Sequence, residues 1–266
     1  MTKICLSIAG LDPSGGAGII ADIKAFEAFG CFAAAAISSI TFQNTTGVFG
    51  AVHQTAETIR QQVQPIIDDF DVAAVKTGML PTREVIEETA RLIRENRLQN
   101  IVVDPVVRST SGFDLIDNEA LKSLIEHLFP LADLITPNIP EAERISGVAI
   151  ESEQDIIDAA GVMRSMGARN VLIKGGHLES GEWSVERGEL SEPGAVATGS
   201  PRQATDFLFL GDELHKSEGP YYETTATHGT GCTLSAAIAA NLAFGRSMIE
   251  AVTIAKKFVN EAIRLA

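Results

Sequence analysis

Residues 4–29 read ICLSIAGLDPSGGAGIIADIKAFEAF and combine three local patterns in one short stretch. Residues 4–9 form an apolar run typical of a buried strand, and residues 19–29 place apolar side chains at helical spacing. Four glycines and Asp12 lie between the two. A strand that passes through a glycine-rich turn directly into a helix predicts a βα unit, which is the building block of a parallel sheet.

The same order of a short apolar run and an amphipathic stretch recurs along the chain. The predicted strand and helix pairs are 35–41 with 55–69, 72–76 with 84–96 and 101–103 with 119–129, followed by a strand at 134–136, helices from about 141 and at 153–166, and a strand at 171–174. Residues 205–210 and 213–216 predict an antiparallel hairpin at a sheet edge, and 232–244 and 248–265 predict two closing helices. The sequence thus predicts one α/β domain over residues 1–266 with a largely parallel sheet.

Composition narrows the classes of partner. The chain has 266 residues, 45% of them hydrophobic, and a formal net charge of −14, so a broad basic surface for nucleic acid or an anionic membrane is absent. No apolar run approaches the roughly 20 residues that span a bilayer, and MTKICLSIAG does not resemble a signal peptide. The three cysteines are far apart and form no CxxC pair. We therefore expect a cytoplasmic protein that binds a small molecule in a pocket.

Two glycine-rich segments are candidate phosphate sites. The first, residues 9–18, opens the first helix, but it matches neither the Walker A loop nor the dinucleotide fingerprint, and a tight βα turn remains an alternative. The second, THGTGCT at residues 227–233, also opens a helix, and its consecutive amides suit an oxyanion. Cys232 falls on the first turn of that helix, where the macrodipole is expected to lower its thiol pKa. The alternative for Cys232 is a small buried hydrophobe.

Charged and polar residues follow the predicted strands. Lys174 ends the strand at 171–174, Asp104 ends the strand at 101–103, and Asn138 and Glu141 follow the strand at 134–136. The carboxyl ends of parallel strands meet at one edge of the sheet, where ligands bind in open α/β folds. Mg²⁺ prefers one or two carboxylates together with water and nucleotide phosphates. The alternatives are a solvated lysine and ordinary helix caps.

Several motifs together carry a family resemblance: AGLDPSGGAGIIADIKAF, FQNTTGV, KTGML, VVDPV, TPNIPEAE, KGGHL and THGTGCTLSAAIAA. From residue 4 to about residue 262 the sequence resembles the hydroxymethylpyrimidine/phosphomethylpyrimidine kinases of thiamine biosynthesis, within the ribokinase-like superfamily that also holds the pyridoxal kinases. The resemblance implies a three-layer α/β/α sandwich with antiparallel edge strands. It also implies ATP and Mg²⁺ as cofactors, a small pyrimidine as substrate, and a homodimer.

The resemblance also assigns roles to individual positions. It implies a pyrimidine pocket at Gly10, Ala17, Asp22, Gln43 and Val106; an anion hole and base at Gly229, Thr230, Gly231 and Cys232; nucleotide contacts at Lys174, Gly175, Asn138 and Thr230; and magnesium ligands at Asp104 and Glu141. From the residue pattern alone, Asp22 is expected to be a solvated residue of the first helix.

Departures from the family pattern and rival functions accompany these assignments. Residues 109–112 read STSG where many members have AKSG, so a phosphate-contacting lysine is absent there, and the segment 179–203 is longer than usual. A pyridoxal kinase shares the fold and the GTGC loop, although Gln43 favours a pyrimidine. A non-catalytic metabolite-binding protein would need the pocket but would have no use for Asp104, Lys174 and Cys232. The presence of all three therefore speaks against this alternative.

Overall fold

A computed structural model describes residues 2–44, 47–107, 115–175, 203–224 and 228–265. Its centre is a nine-stranded sheet in the order β3-β2-β1-β4-β5-β6-β7-β8-β9. The strands are β1 Ile4–Leu11, β2 Phe32–Asn44, β3 Gly47–His53, β4 Val72–Thr77, β5 Ile101–Val103, β6 Leu134–Ile135, β7 Asn170–Ile173, β8 Gln203–Leu210 and β9 Glu213–Pro220. The strands β2, β1, β4, β5, β6 and β7 pair in parallel, whereas β3, β8 and β9 pair antiparallel to their neighbours.

Eight α-helices cover this sheet in the described residues. They are α1 Gly18–Ala28, α2 Ala56–Asp69, α3 Arg83–Glu95, α4 Asn118–Ser123, α5 Ile139–Ser146, α6 Glu153–Ser165, α7 Thr230–Ala243 and α8 Met248–Leu265. Polar N-caps start several of them; for example, the Thr82 hydroxyl accepts a hydrogen bond from the N–H of Val85 at the start of α3. No helix of the described ranges is both long and apolar enough to cross a membrane.

Alternating strand residues supply two hydrophobic cores, one on each face of the sheet. Leu6 and Ile8 of β1 pack with the buried faces of α2, α3, α4, α5 and α6. Cys5 of the same strand packs on the other face with α1, α7 and α8. This division follows from the two-residue period of a strand. The predicted three-layer α/β/α sandwich with antiparallel edge strands is confirmed.

Two elements differ from the sequence prediction. β3 was not predicted; it pairs with β2 and gives the sheet a second antiparallel edge, at which Ile40 lies opposite Val52. The predicted helix at 119–129 is α4 followed by a π-helical turn, Leu124–Leu128, and a short 3₁₀ turn, Phe129–Leu131. Pro130 explains the end of this segment, because proline donates no backbone hydrogen bond and restricts the residue before it.

Candidate active site

The two glycine-rich segments meet at one edge of the sheet. A Cβ atom on Gly229 would lie 1.8 Å from the carbonyl oxygen of Gly16, and a Cβ on Gly16 would lie 2.5 Å from the His228 ring. Gly229 also has a φ of 77°, which favours glycine. We call residues 10–18 the first glycine loop and residues 228–232 the second glycine loop. Their contact shows that these glycines permit the approach of two backbones, which a single tight turn does not require.

Cys232 lies where the first turns of α1 and α7 meet. The backbone N–H of Gly18, at the start of α1, lies close enough to the Cys232 thiol to lower its pKa. Burial raises the pKa of the thiol to about 11; Lys76 opposes this shift, and Asp104 and Asp22 reinforce it. The expectation of a lowered thiol pKa is therefore wrong, because desolvation outweighs the helix dipoles. Without a ligand, Cys232 is a neutral thiol at pH 7.

Beside this thiol, Lys76 and Asp22 form a fully buried ion pair. Lys76 Nζ lies 2.9 Å from both Asp22 carboxylate oxygens, and the Ser7 hydroxyl donates to the same carboxylate at 2.6 Å. Both charged side chains have zero solvent exposure. Burial lowers the pKa of Lys76, but the negative charges of the Asp22 and Asp104 carboxylates outweigh it, so the net shift is upward and the ammonium stays charged.

The expectation that Asp22 is solvated is wrong, because it is completely buried. The sequence reasoning also missed Lys76, although a lysine at the end of the apolar run 72–75 is itself a signal of a buried charge. The ion pair with Asp22 holds the Lys76 ammonium near the Cys232 thiol. The direct contact between Asp22 and a pyrimidine that the family resemblance implies stays a prediction.

Lys174, Asp104 and Glu141 come together as the sequence predicts. Lys174 Nζ lies 2.8 Å from Asp104 Oδ1 and 3.9 Å from Glu141 Oε2. Burial alone would raise the pKa of Asp104, but Lys174 and Lys76 lower it. Burial raises the pKa of Glu141 to about 7, against the opposing charge of Lys174. A Cβ on Gly231 would lie 3.1 Å from Lys174 Nζ, so this lysine faces the first turn of α7.

Asn138 and Glu141 also form the capping box of α5. The Asn138 N–H donates to Glu141 Oε2 at 2.8 Å, and the Glu141 N–H donates to Asn138 Oδ1 at 2.9 Å. The cap alternative is therefore confirmed, and the same carboxylate still faces Lys174. Within the described ranges no cluster of three or more His, Cys, Asp and Glu side chains has the geometry of a metal site. Any cation at Asp104 and Glu141 would need further oxygen ligands from water or phosphate.

Hydroxyl groups connect Asp104 to the second glycine loop. The Thr136 hydroxyl donates to Asp104 Oδ1 at 3.2 Å and lies 2.8 Å from the Ser235 hydroxyl, which donates to the carbonyl oxygen of Gly231 at 3.0 Å. The strand end that bears Asp104 is thus fixed relative to the helix that bears Cys232.

On the other side of Lys174, Gly175 is held by a second buried ion pair. Its N–H donates to Asp206 Oδ1 at 3.0 Å, and Lys256 Nζ lies 2.7 Å from Asp206 Oδ2. These contacts order the backbone that follows Lys174. His177, the STSG segment and almost all of the segment 179–203 lie outside the described residues.

The remaining pocket positions lie along the first glycine loop and the neighbouring strand ends. Gly10 is the penultimate residue of β1, and a Cβ there would lie 3.2 Å from the Met79 sulfur. Ala17 is the N-cap of α1, and Gln43 lies near the end of β2. Val106 is half-buried, two residues beyond Asp104. All of them therefore lie at the sheet edge that carries the two loops.

Comparison with known proteins bears directly on this arrangement. The family model described as phosphomethylpyrimidine kinase matches residues 12–266. A hydroxymethylpyrimidine/phosphomethylpyrimidine kinase of Rhizobium meliloti is 44% identical over 100% of this chain and 92% of its own length. The chain belongs to the phosphomethylpyrimidine kinase family.

Solved structures share the family fold. A crystal structure of phosphomethylpyrimidine kinase from Clostridium difficile superposes with a TM-score of 0.79 at 37% identity, covering 98% of this chain and 100% of that one. The pyridoxal kinase from Staphylococcus aureus in complex with pyridoxal gives a TM-score of 0.83 at 29% identity, covering 99% and 88%. The fold therefore accommodates kinases of two substrate classes, and side chains at the site must distinguish them.

Proposed function

We propose that the chain transfers the γ-phosphoryl group of ATP to the hydroxymethyl group of 4-amino-5-hydroxymethyl-2-methylpyrimidine, and then to the resulting monophosphate, in thiamine biosynthesis. The observation that carries the proposal is the convergence on Cys232 of two helix N-termini and the buried Lys76 ammonium. Helix N-termini stabilise anions, and catalysis of phosphoryl transfer rests mainly on positioning and charge stabilisation.

In this proposal, Cys232 Sγ accepts the proton of the attacking hydroxymethyl group. The accepting form is the thiolate, which Lys76 and the Gly18 N–H stabilise, although burial keeps it a minor species at pH 7. The amides of Gly229, Thr230 and Gly231 face the transferring phosphoryl oxygens. These groups act where negative charge develops, so they favour the transition state over the bound substrate.

The nucleotide would lie along the ends of β6 and β7. Lys174 supplies a point charge for its phosphates, and Asn138, Gly175 and Thr230 supply polar contacts around them. The carboxylates of Asp104 and Glu141 are the oxygen ligands that Mg²⁺ prefers, so these residues fit the ion and would hold it. When bound there, Mg²⁺ would neutralise phosphate charge and orient the nucleotide.

Gln43 provides the preference for a pyrimidine over pyridoxal. Its amide can pair with an amino group and the adjacent ring nitrogen, whereas pyridoxal offers no such amino group. Replacing Gln43 by Met keeps most of the volume and leaves that edge unpaired, at a cost of about 1–3 kcal/mol. We expect kcat/KM for the pyrimidine to fall roughly 10- to 100-fold and kcat/KM for pyridoxal to fall less.

The test is turnover of the hydroxymethylpyrimidine, its monophosphate and pyridoxal by the wild-type protein and the Gln43→Met variant. A wild-type preference for pyridoxal would replace the proposal with a pyridoxal kinase. Absence of turnover with all three, while the pyrimidine still binds, would favour the non-catalytic binding protein. An unchanged substrate ratio in Gln43→Met would remove Gln43 from substrate selection.

A homodimer and a cytoplasmic location complete the proposal. The β2 and β3 edge exposes four apolar side chains, Ile40, Phe42, Phe49 and Val52, with Phe49 72% exposed, and a second copy of the chain would cover them. Phe49→Asp should then shift the sedimentation coefficient to that of a monomer. The control Phe244→Asp, which lies outside this patch, should leave the sedimentation coefficient unchanged. A wild-type protein that sediments as a monomer would contradict the dimer.

The three free cysteines suit a reducing compartment, which supports the cytoplasmic location.

A further inference from the structure

The two peptide groups that flank the Cα atom of Lys174 are both held by hydrogen bonds. The Lys174 N–H donates to the carbonyl oxygen of Pro137 at 2.8 Å, and the Gly175 N–H donates to Asp206 Oδ1 at 3.0 Å. Because peptide groups are planar, fixing both of them sets the direction of the Cα–Cβ bond between them. The backbone therefore aims the Lys174 side chain, whose Nζ lies 2.8 Å from Asp104 Oδ1.

The Asp206 carboxylate is itself held by a lysine of the last helix. Lys256 Nζ, on α8, lies 2.7 Å from Asp206 Oδ2, and both side chains are buried. Gly175 approaches β8 so closely that a Cβ there would lie 2.1 Å from the carbonyl oxygen of Thr205. The ion pair thus joins α8 and β8 to the backbone that directly follows Lys174.

Stability alone does not account for a charged pair at this place. Replacing a buried ion pair by apolar residues of similar volume is often neutral or stabilising, because taking two charges out of water costs free energy. An apolar side chain at position 206, however, could not accept the Gly175 N–H. A carboxylate has an acceptor on each oxygen, so one oxygen can serve Lys256 while the other stays directed at Gly175.

We propose that Asp206 and Lys256 are positioning residues for the nucleotide: through the Gly175 N–H they fix the backbone of Lys174 and direct its ammonium group toward the phosphates. This role rests on the proposed function, in which the nucleotide lies along the ends of β6 and β7. A pair that only stabilised the fold would have no selective effect on nucleotide binding.

The sheet order predicts that the effect is selective. Gln43, in the proposed pyrimidine pocket, lies on β2, and the strands β1, β4, β5 and β6 separate β2 from β7. A small displacement of the backbone after β7 should therefore weaken nucleotide binding and leave pyrimidine binding almost unchanged. The two affinities, measured separately by calorimetry with ADP and Mg²⁺ and with the hydroxymethylpyrimidine, are the readout.

Asparagine at position 206 disturbs the arrangement with the smallest change in volume. An amide has one oxygen in place of two, and the Lys256 ammonium competes for it, which turns the new NH₂ group toward the Gly175 N–H. We expect Asp206→Asn to weaken ADP binding about 10-fold, because the Lys174 ammonium loses its alignment with the phosphates. Binding of the pyrimidine should change by less than about twofold, as expected for a distant site.

The double variant Asp206→Asn with Lys256→Met is the rescue. Without the ammonium, the single amide oxygen is free to accept the Gly175 N–H again. We expect the double variant to bind ADP at least about threefold more tightly than Asp206→Asn, although it carries one more substitution. Lys257→Met, at the next residue of α8, where the side chain is exposed, is the matched control and should change neither affinity.

A substitution of Lys174 tests whether the effect passes through that lysine. If Asp206 acts by aiming the Lys174 ammonium, a chain without this ammonium has nothing left to aim. Asp206→Asn should therefore weaken ADP binding by less than about twofold when it is added to Lys174→Met, against about 10-fold when it is added to the wild type.

Several outcomes would overturn the positioning role. These are an unchanged ADP affinity in Asp206→Asn, an equal loss for ADP and pyrimidine, a double variant that binds ADP no better than Asp206→Asn, or an undiminished effect in the Lys174→Met background. Thermal melting identifies a variant that fails to fold. If Asp206→Asn does, Asp206→Glu replaces it, because it keeps the charge for Lys256 while its extra methylene group moves the oxygen that accepts the Gly175 N–H. An unchanged ADP affinity in Asp206→Glu would then overturn the role.

ADP binding and turnover together separate this inference from the proposed function. If the wild type binds ADP but does not phosphorylate the pyrimidine, the kinase proposal fails while the ADP affinities still decide the role of Asp206. If the wild type phosphorylates the pyrimidine and its ADP affinity does not depend on Asp206, only the positioning role fails. A wild type that binds no ADP would overturn both.

Discussion

The substitution Lys76→Met tests whether the buried ion pair stabilises the protein as its geometry implies. Lys76 gives the Asp22 carboxylate two contacts at 2.9 Å, and its removal leaves the Ser7 hydroxyl as the remaining hydrogen-bond donor to it. Both side chains are fully buried. Breaking a buried pair by removing one partner typically costs about 3–5 kcal/mol, because the remaining charge is uncompensated. We expect a loss of this size in the free energy of unfolding of Lys76→Met.

The direction of the pH dependence follows from Asp22. Burial raises its pKa in the folded state, and loss of Lys76 removes the main opposing influence. A carboxyl group whose folded-state pKa is raised contributes stability below its unfolded pKa and loses that contribution as pH rises through the folded value. The deficit of Lys76→Met relative to wild type should therefore be smaller at pH 5 than at pH 8.

Urea unfolding at both pH values measures these differences. Lys122→Met, at a lysine whose side chain is 75% exposed, is the control and should change stability by less than about 0.5 kcal/mol. Asp22→Asn combined with Lys76→Met should recover much of the loss, because no buried charge is left without a partner. The reasoning is refuted if Lys76→Met unfolds with nearly wild-type free energy, or if the double variant loses the sum of both single effects.

The remaining predictions concern the chemistry of the site. Cys232→Ala should lower kcat, measured by steady-state turnover, by on the order of 10²-fold or more. Its nucleotide affinity, measured by ADP binding, should change little. Turnover at the wild-type rate would exclude the thiol from the mechanism. Alkylation of Cys232 by iodoacetamide should be slow at pH 7 and accelerate up to about pH 11, because burial raises its pKa to about that value. Asp104→Ala and Glu141→Ala should each need more Mg²⁺ for half-maximal rate; identical Mg²⁺ titrations would contradict their role as ligands.

The sequence predicted the positions of most secondary elements because their patterns are local. The run 4–9 and the helix at 153–166, which begins after the Ser152 cap, both appear close to the expected bounds. β3 escaped prediction because Gly47–His53 includes two glycines and shows no clean alternation of buried and exposed residues. Its pairing with β2 is a tertiary feature, and local propensity does not encode it.

The site was predicted only in part, for a similar reason. Lys174, Asp104, Glu141 and Cys232 were recognised because each follows a predicted strand or a glycine loop. The partner of Asp22 is 54 residues away, at Lys76, and neither residue alone signals the pair. The pKa of Cys232 was expected to move in the wrong direction because the helix N-terminus is visible in the sequence, whereas the extent of burial is a property of the packed fold.

The charges at the site explain how a chain of net charge −14 can serve a polyanionic nucleotide. Lys76 and Lys174 are the two buried ammonium groups nearest Cys232, and Asp22 and Asp104 already neutralise them. Glu141, with a pKa of about 7, adds further negative charge as pH rises. The ion pairs therefore leave little surplus positive charge for phosphate, so the contribution of Lys174 must be supplemented by backbone amides at the two helix N-termini and by a cation that enters with the nucleotide. Such local attraction acts only inside the pocket, which is consistent with a site for one small nucleotide and not for a nucleic acid.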